Sequence, residues 1–486
     1  MLQLIVALGF LIASMFSCGT SGKAQDMKPT GGVWSLEDCI QYGIKNNIGV
    51  QQSDIQIQTA NANLQQSKFA RYPSASANAS QALNWGRSID PFSNQFVTQQ
   101  VNSNNFSVSG SMILFNGYRL QNVIRQNANT VGINQLNNEQ AKQTLSLNIA
   151  VAYLNVLQNQ ELLGTSQTNL LSTQTQLDRT KKLFEAGAIA EIDVINIQAT
   201  IANNQLAITN AKNMLNSGKV ALQQQMNYAL EDDFQVKTVN VDNLVVNDLV
   251  ETPMQVYQTA EGTQPSIKSA DQAIKGSEIA IEQARAGLYP TLSLNGTLFT
   301  GYSSASAKYN TNTTLVQQTV GYVNGNVAQP VIGVFPSTER TKIAYPFFGQ
   351  LKDNLRQQVS LNLNIPIYNG NFTRTQIGNA ILAKRNTELQ AKQVRNQLRQ
   401  TIEQAYIDAK NAYQTYQTRQ EQIKALTNAF EVTEKRYQAG ASNVVDFNLS
   451  KNNLDIAKSD LVRSKYDYLF RKKVLDFYMN KPLTMD

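Results

Sequence analysis

The sequence predicts an internally duplicated α+β membrane protein, in which long coiled-coil helices carry a few β-strands that several copies pool into one barrel. The first observation behind this is a repeat without slippage. Phe115-Asn116-Gly117 returns as Tyr368-Asn369-Gly370, Tyr153 as Tyr406, Phe184 as Tyr437, Gly187 as Gly440 and Asp193 as Asp446, each 253 positions later. The start of each half keeps a second register, 217 positions apart: Asn47-Ile48-Gly49-Val50 answers Gln264-Pro265-Ser266-Ile267, and Tyr72-Pro73 answers Tyr289-Pro290. The difference of 36 places an insertion between Pro290 and Tyr368.

The second observation is the placing of proline and of apolar residues. No proline falls between Pro91 and Pro253, or between Pro366 and Pro482, so both windows can hold very long helices. Ile149, Val156, Leu163, Leu170, Leu177 and Phe184 recur at a seven-residue step, as do Ile402, Ala409, Tyr416, Ile423, Phe430 and Tyr437. That is a coiled-coil period. A helix from Tyr118 to Glu185 would be about 100 Å long.

The third observation is strand-like alternation ahead of each long helix. Phe106, Val108, Gly110, Met112 and Leu114 alternate with serines, and Val359, Leu361, Leu363, Ile365 and Ile367 alternate with Ser360, Asn362 and Asn364. Leu292 and Leu294 alternate with Ser293 and Asn295, while Ser74 to Asn84 is a small-residue version. One apolar and one Ser/Asn face fits barrel strands around a polar lumen, and also fits a half-buried soluble sheet. Four strands cannot close a membrane barrel, since the smallest bacterial ones need about eight. Several chains must share one.

Taken in order, residues 1–24 read as a secretory signal, apolar at first and ending in Gly22-Lys23-Ala24. Cys18 is the alternative reading there, a lipid-attachment cysteine. Residues 25–72 are expected to form a first helix, 73–116 a strand pair and 117–230 a long helical hairpin. A linker or equatorial segment over 231–262 follows, then the second repeat's first helix over 263–288. The second strand pair is expected over 289–369 with a long external loop over 302–355, the second hairpin over 370–478 and a tail over 479–486. Glycine ends a helix cheaply in the left-handed conformation, so Gly187-Ala188 and Gly440-Ala441 read as hairpin tips.

Composition narrows the chemistry. Histidine is absent and only Cys39 remains once the signal is gone, so the commonest general base, cysteine-rich zinc sites and an intrachain disulfide are all excluded. No phosphate loop or nucleophile elbow occurs, and neither an enzyme, a cofactor nor a metal site is expected. The formal charge of +7 is spread out. Its densest cluster, Arg471-Lys472-Lys473, lies among Leu469, Phe470, Val474 and Leu475 and reads as a solvated helix face, not a nucleic-acid patch.

These features together resemble the TolC family of outer-membrane efflux factors. The carriers are Trp34-Ser35-Leu36-Glu37-Asp38-Cys39-Ile40 with Asn46-Asn47, the two Tyr-Pro strand openings, and the Phe-Asn-Gly and Tyr-Asn-Gly turns. The tips Phe184-Glu185-Ala186-Gly187 and Tyr437-Gln438-Ala439-Gly440, each running on to an aspartate, complete them. The resemblance implies a homotrimer in outer-membrane lipid, with a shared twelve-stranded barrel and a helical tunnel projecting into the periplasm of a Gram-negative cell. It implies an exit duct for efflux or type I secretion, whose tips at Gly187, Ala188, Gly440 and Ala441 meet a periplasmic adaptor. Energy would come from an inner-membrane RND or ABC transporter. It also implies a periplasmic gate at Asp193, Tyr437 and Asp446, with a latch from Tyr437 to Asp193. Read from the residues alone, Asp193 and Asp446 are acids at helix N-termini, favoured by the macrodipole. Ser442 and Leu449 depart from the family, which can carry an arginine and a second acid there. The rival is a trimeric coiled-coil surface or scaffold protein, which would need neither antiparallel hairpins nor a duplicated chain.

Overall fold

Side-chain caps decide where each half of the chain begins. Ser35 accepts from the Asp38 N–H at 3.1 Å while the Asp38 carboxylate accepts from the Ser35 N–H at 3.2 Å, a reciprocal box that opens helix α1 (Leu36–Asn46). Thr252 and Gln255 repeat it 217 positions later (35 to 252) and open α5 (Pro253–Thr263). The computed structural model describes residues 32–89, 94, 96–98, 100–239, 251–323 and 327–483. The signal segment and Cys18 lie outside the described residues.

Each capped helix is followed by another: α2 (Ile48–Phe69) after α1, and α6 (Pro265–Arg285) after α5. The single helix expected over 25–72 is therefore two. At the break Asn47 is extended, and its Oδ1 accepts from the Gly49 and Val50 N–H groups to start α2. The second repeat likewise starts at Thr252, inside the segment expected to be a linker. Its signal was the Thr-x-x-Gln box with proline at the first helical position. The two long helices, α3 (Arg119–Glu185) and α8 (Phe372–Gln438), have 67 residues each, and α4 (Glu191–Met226) and α9 (Val444–Tyr478) complete their hairpins.

The chain divides into two compact units, one from residues 1–55, 136–268 and 394–486 and the other from 56–135 and 269–393. In the first, a short parallel pair, β1 (Val33–Trp34) with β6 (Gln235–Val236), covers a core of Cys39, Ile149, Tyr153, Leu222 and Met226. Trp34, Tyr42, Tyr228 and Phe234 stack edge-on or tilted with centroids 5.2–6.1 Å apart. The buried Tyr153 hydroxyl donates to the Lys237 carbonyl at 2.8 Å, tying α3 to the end of this pair. Burial pushes the Cys39 thiol far up, so it is an inert core group.

The second unit holds a four-stranded antiparallel sheet in the order β10-β7-β5-β2, made of β2 (Ser74–Asn84), β5 (Val101–Asn116), β7 (Thr291–Ser303) and β10 (Arg356–Asn364). Between β2 and β5 lie the short strands β3 (Ser88–Ile89) and β4 (Phe96–Val97), which pair with each other. The segment expected as a loop over 302–355 instead contains a long hairpin, β8 (Lys308–Tyr322) with β9 (Pro330–Ile343), and a short helix α7 (Phe347–Asp353). Its prolines sit at the first residue of a strand and within a two-stranded ribbon, where a missing N–H is tolerated.

Asparagines fasten α3 against α2 in this unit. Asn127 Nδ2 donates to the Asn63 carbonyl and Asn134 Nδ2 to the Gln56 carbonyl, both at 3.3 Å.

Gly117 (φ +64°) and Gly370 (φ +64°) make the strand-to-helix turns of the two halves. A Cβ on Gly117 would meet the Ala286 carbonyl oxygen at 2.7 Å and Tyr289 Cβ at 2.8 Å, whereas one on Gly370 meets open space. Gly370→Ala should therefore cost about 1 kcal/mol from the left-handed backbone alone. Gly117→Ala should cost distinctly more, and thermal unfolding followed by circular dichroism compares the two; equal melting temperatures would contradict the crowding.

Candidate functional site

Two places on this fold combine exposure with purpose-built chemistry: the faces of the sheet and the tips of the hairpins. Register aligns the sheet side chains in rows. On one face run Ser360-Asn295-Ser111-Ser74 and Gln358-Thr297-Ser109-Ser76, with serine hydroxyls paired at 2.9 Å across β2 and β5. On the other run Leu361-Leu294-Met112 and Val359-Gly296-Gly110-Ala75. Along these rows one face is wet and the other oily, with Phe299 and Ile113 the apolar exceptions on the wet side of β7 and β5.

Aromatic residues mark both ends of the oily band. Where the helices join the strands lie Phe69 with Tyr72 and Phe115 with Tyr118. At the far end α7 packs against β7 through Phe347, which meets Phe106 at 6.4 Å and Tyr302 at 5.2 Å. The helix is pinned there by hydrogen bonds from Thr300 Oγ1 to the Leu351 carbonyl at 2.6 Å and from Asn354 Nδ2 to the Gly301 carbonyl at 2.8 Å. From Phe106 to Phe115 the strand rises about 30 Å, or some 23 Å in height at a 40° tilt, close to the apolar band of an outer-membrane barrel. Among the described residues, the outer strands β2 and β10 each leave one edge unpaired.

At the tips, left-handed Gly187 (φ +76°) and Gly440 (φ +73°) let the next residue fold back. Ala188 N–H reaches the Leu183 carbonyl at 2.9 Å, and Ala441 N–H the Arg436 carbonyl at 2.8 Å. All four tip residues are exposed, and a Cβ on either glycine would meet nothing within 4 Å. The caps that follow differ. Asn443 Oδ1 accepts from the Asp446 N–H at 2.8 Å, while Ala190 offers no side-chain cap to α4.

Asp446 is exposed in the first turn of α9, and Asp193 is half-buried in the first turn of α4. Tyr437 stacks on Phe447 with centroids 4.9 Å apart, and Phe447 also meets Phe430 at 5.5 Å. The latch implied from Tyr437 to Asp193 is not closed as a hydrogen bond in the chain. The Tyr437 hydroxyl is buried without a partner of hydrogen-bond geometry, as is the Thr180 hydroxyl. Burial pushes the Tyr437 phenol up; the Thr180 hydroxyl draws it back, the Asp193 charge raises it again and Arg179 opposes that. No hydrogen bond joins Asp193 to the Tyr437 hydroxyl among the described residues. Thr180 and Phe447 were missed in the sequence because a threonine in a heptad and a phenylalanine beside an acid look like ordinary packing.

The model of the family described as outer membrane efflux protein matches residues 40–227 and 337–480, in both halves of the repeat. The chain belongs to that family. It is a protein of the Gram-negative outer membrane. Outer membrane protein TolC of Escherichia coli is 24% identical over 344 residues, spanning 70% of this chain and 62% of that protein. The chain thus covers less than two thirds of that relative's length. Two solved structures share the fold. CusC has a TM-score of 0.66 at 17% identity over 92% of both chains. The Campylobacter jejuni outer membrane channel CmeC has a TM-score of 0.65 at 16% identity, over 91% of this chain and 85% of its own. At these identities the likeness speaks for the architecture, a β-barrel joined to a helical tunnel.

The cap difference has a measurable result. Asn443→Ala should weaken the start of α9 by about 1 kcal/mol. Amide exchange near Val444–Phe447 should then rise to match that at the uncapped start of α4; unchanged exchange would show that the cap is not what holds this turn.

Proposed function

We propose that the chain is a passive exit duct in the outer membrane, serving a tripartite efflux or type I secretion system. The observation that carries this is the four-stranded sheet: one mainly polar face, one apolar face ringed by aromatics, two edges unpaired among the described residues, and β5 and β10 each followed by a 67-residue helix, after two and seven residues. In hydrocarbon an open edge is untenable, so the edges of β2 and β10 pair with those of other copies. Three copies make twelve strands, the homotrimer that the family resemblance implies. The long hairpins then form the tunnel, and the β1–β6 pair with its aromatic core lies in the equatorial segment. Nothing in the duct supplies energy. An energised inner-membrane transporter, of the RND or ABC kind, loads it through a periplasmic adaptor.

The adaptor is proposed to dock on the tips around Gly187, Ala188, Gly440 and Ala441, where absent side chains let a partner's backbone approach closely. Asp193, Tyr437 and Asp446 lie just inside and form the gate. The rival scaffold reading leaves the aromatic-ringed oily band without purpose.

Purified protein in a planar bilayer should give discrete conductance steps, and native mass measurement a trimer. A detergent-free soluble monomer would sink the reading. Gly440→Trp should abolish efflux while the assembly stays in the membrane; normal efflux would show that the tip does not dock.

Three copies of exposed Asp446 around one axis would concentrate cations. Asp446→Asn should lower cation preference and relieve block by trivalent cations. Unchanged selectivity would show that this acid does not face the pore.

A further inference from the structure

The four strands of the sheet contain one charged residue between them, Arg356 at the start of β10. Its register puts it in the row Arg356-Phe299-Ser107-Asn78, which alternates in step with the Ser/Asn/Thr rows and so lies on the polar face. The next row outward on the opposite face holds Phe106 and Thr300, so Arg356 stands level with the outer aromatic girdle. Eight residues separate it from Asn364 at the helix end of the strand, about 27 Å along the chain. Arg356 is exposed and makes no ion pair among the described residues. The carboxylate three positions earlier, Asp353, is engaged by Lys308 at 3.5 Å and by the Tyr345 hydroxyl at 3.2 Å. The guanidinium is therefore free to act on whatever passes.

We infer that Arg356 is the charge-selecting residue of the barrel lumen, a ring of three guanidinium groups that admits solutes bearing carboxylate, sulfate or phosphate groups in preference to cations. The inference rests on the duct reading with three copies. Twelve strands 4.8 Å apart at a 40° tilt give a backbone radius of about 12 Å. An arginine reaching inward from that wall holds its charge roughly 6 Å from the axis, inside one Debye length at physiological salt. Every other wall residue on that face is uncharged, so nothing in the barrel offsets the ring. Planar guanidinium groups also bind oxyanions in a bidentate way, which a lysine ring would do less well.

The test is the reversal potential of single channels under a KCl gradient. Arg356→Gln should shift the anion-to-cation permeability ratio toward cations by roughly threefold at about 0.1 M salt, and by more at lower salt. Arg356→Lys should retain most of the wild-type ratio. Arg356→Cys allows the charge to be restored in channels already inserted. A methanethiosulfonate carrying an ammonium group should return the ratio toward wild type, and one carrying a sulfonate should push it further toward cations. The buried Cys39 leaves wild-type channels unresponsive as the control. If these variants conduct with unchanged selectivity and ignore both reagents, Arg356 does not face the lumen and the inference falls while the duct stands. If the wild-type protein gives no conductance at all, the duct reading falls and takes this inference with it.

Discussion

Everything in this molecule depends on the rule that backbone N–H and C=O groups cannot be left bare in lipid. A single chain supplies four strands, and both outer strands carry unpaired edges. On the duct reading proposed above, other copies must complete the sheet before it can enter hydrocarbon. The same rule forces the chain to leave the bilayer as soon as a strand ends, because only closed ladders and helices satisfy their own backbone. The passage from Asn116 through the left-handed Gly117 and Tyr118 into α3 does this in two residues, and the seven residues from 365 to 371, ending in left-handed Gly370 and Asn371, do it in the second half. Membrane insertion, self-association and helix direction are thus one problem solved twice in the sequence.

Duplication makes that solution cheap to encode. The caps at Ser35 and Thr252, the turns at Gly117 and Gly370 and the tips at Gly187 and Gly440 are the same devices in two copies. The halves differ in their caps after the tips, in the crowding of the turn glycines and in what surrounds them. The first half has Tyr153 and the aromatic group around Trp34 for its core. The second has the inserted β8–β9 hairpin and α7, which anchors Phe347 against the sheet.

Elements ruled by a period or by glycine were legible before any coordinates. The seven-residue step gave both long helices, the alternation gave all four wall strands, and each Gly-Ala pair gave a tip. Elements ruled by single side chains were harder. The break at Asn47 depends on one amide accepting from two N–H groups, which no periodicity announces. The helix at Pro253 falls in the segment expected as a linker, because an 11-residue helix opened by a single Thr-x-x-Gln box is too short to show a period. The β8–β9 strands were obscured by Thr, Asn and Gly, a mixture that suits exposed ribbons as well as loops. In the candidate site the acids and the tyrosine were named from the sequence, but their packing was not. Only three-dimensional packing shows that Phe447 takes the Tyr437 ring and that the Tyr437 and Thr180 hydroxyls are both buried.

The asparagines that join α3 to α2 constrain how the wall of this unit can move. Asn127 meets Asn63, and Asn134, seven residues on, meets Gln56, seven residues back. The bonds act as teeth cut one heptad apart, a pitch of about 10 Å. A slide by one residue disengages both teeth at once, and about one helical turn must pass before carbonyls of the same face meet the amides again. Sliding between these two helices is therefore all or none, whereas rotation about the toothed seam leaves each amide near its carbonyl. A wall built this way can twist open but not telescope.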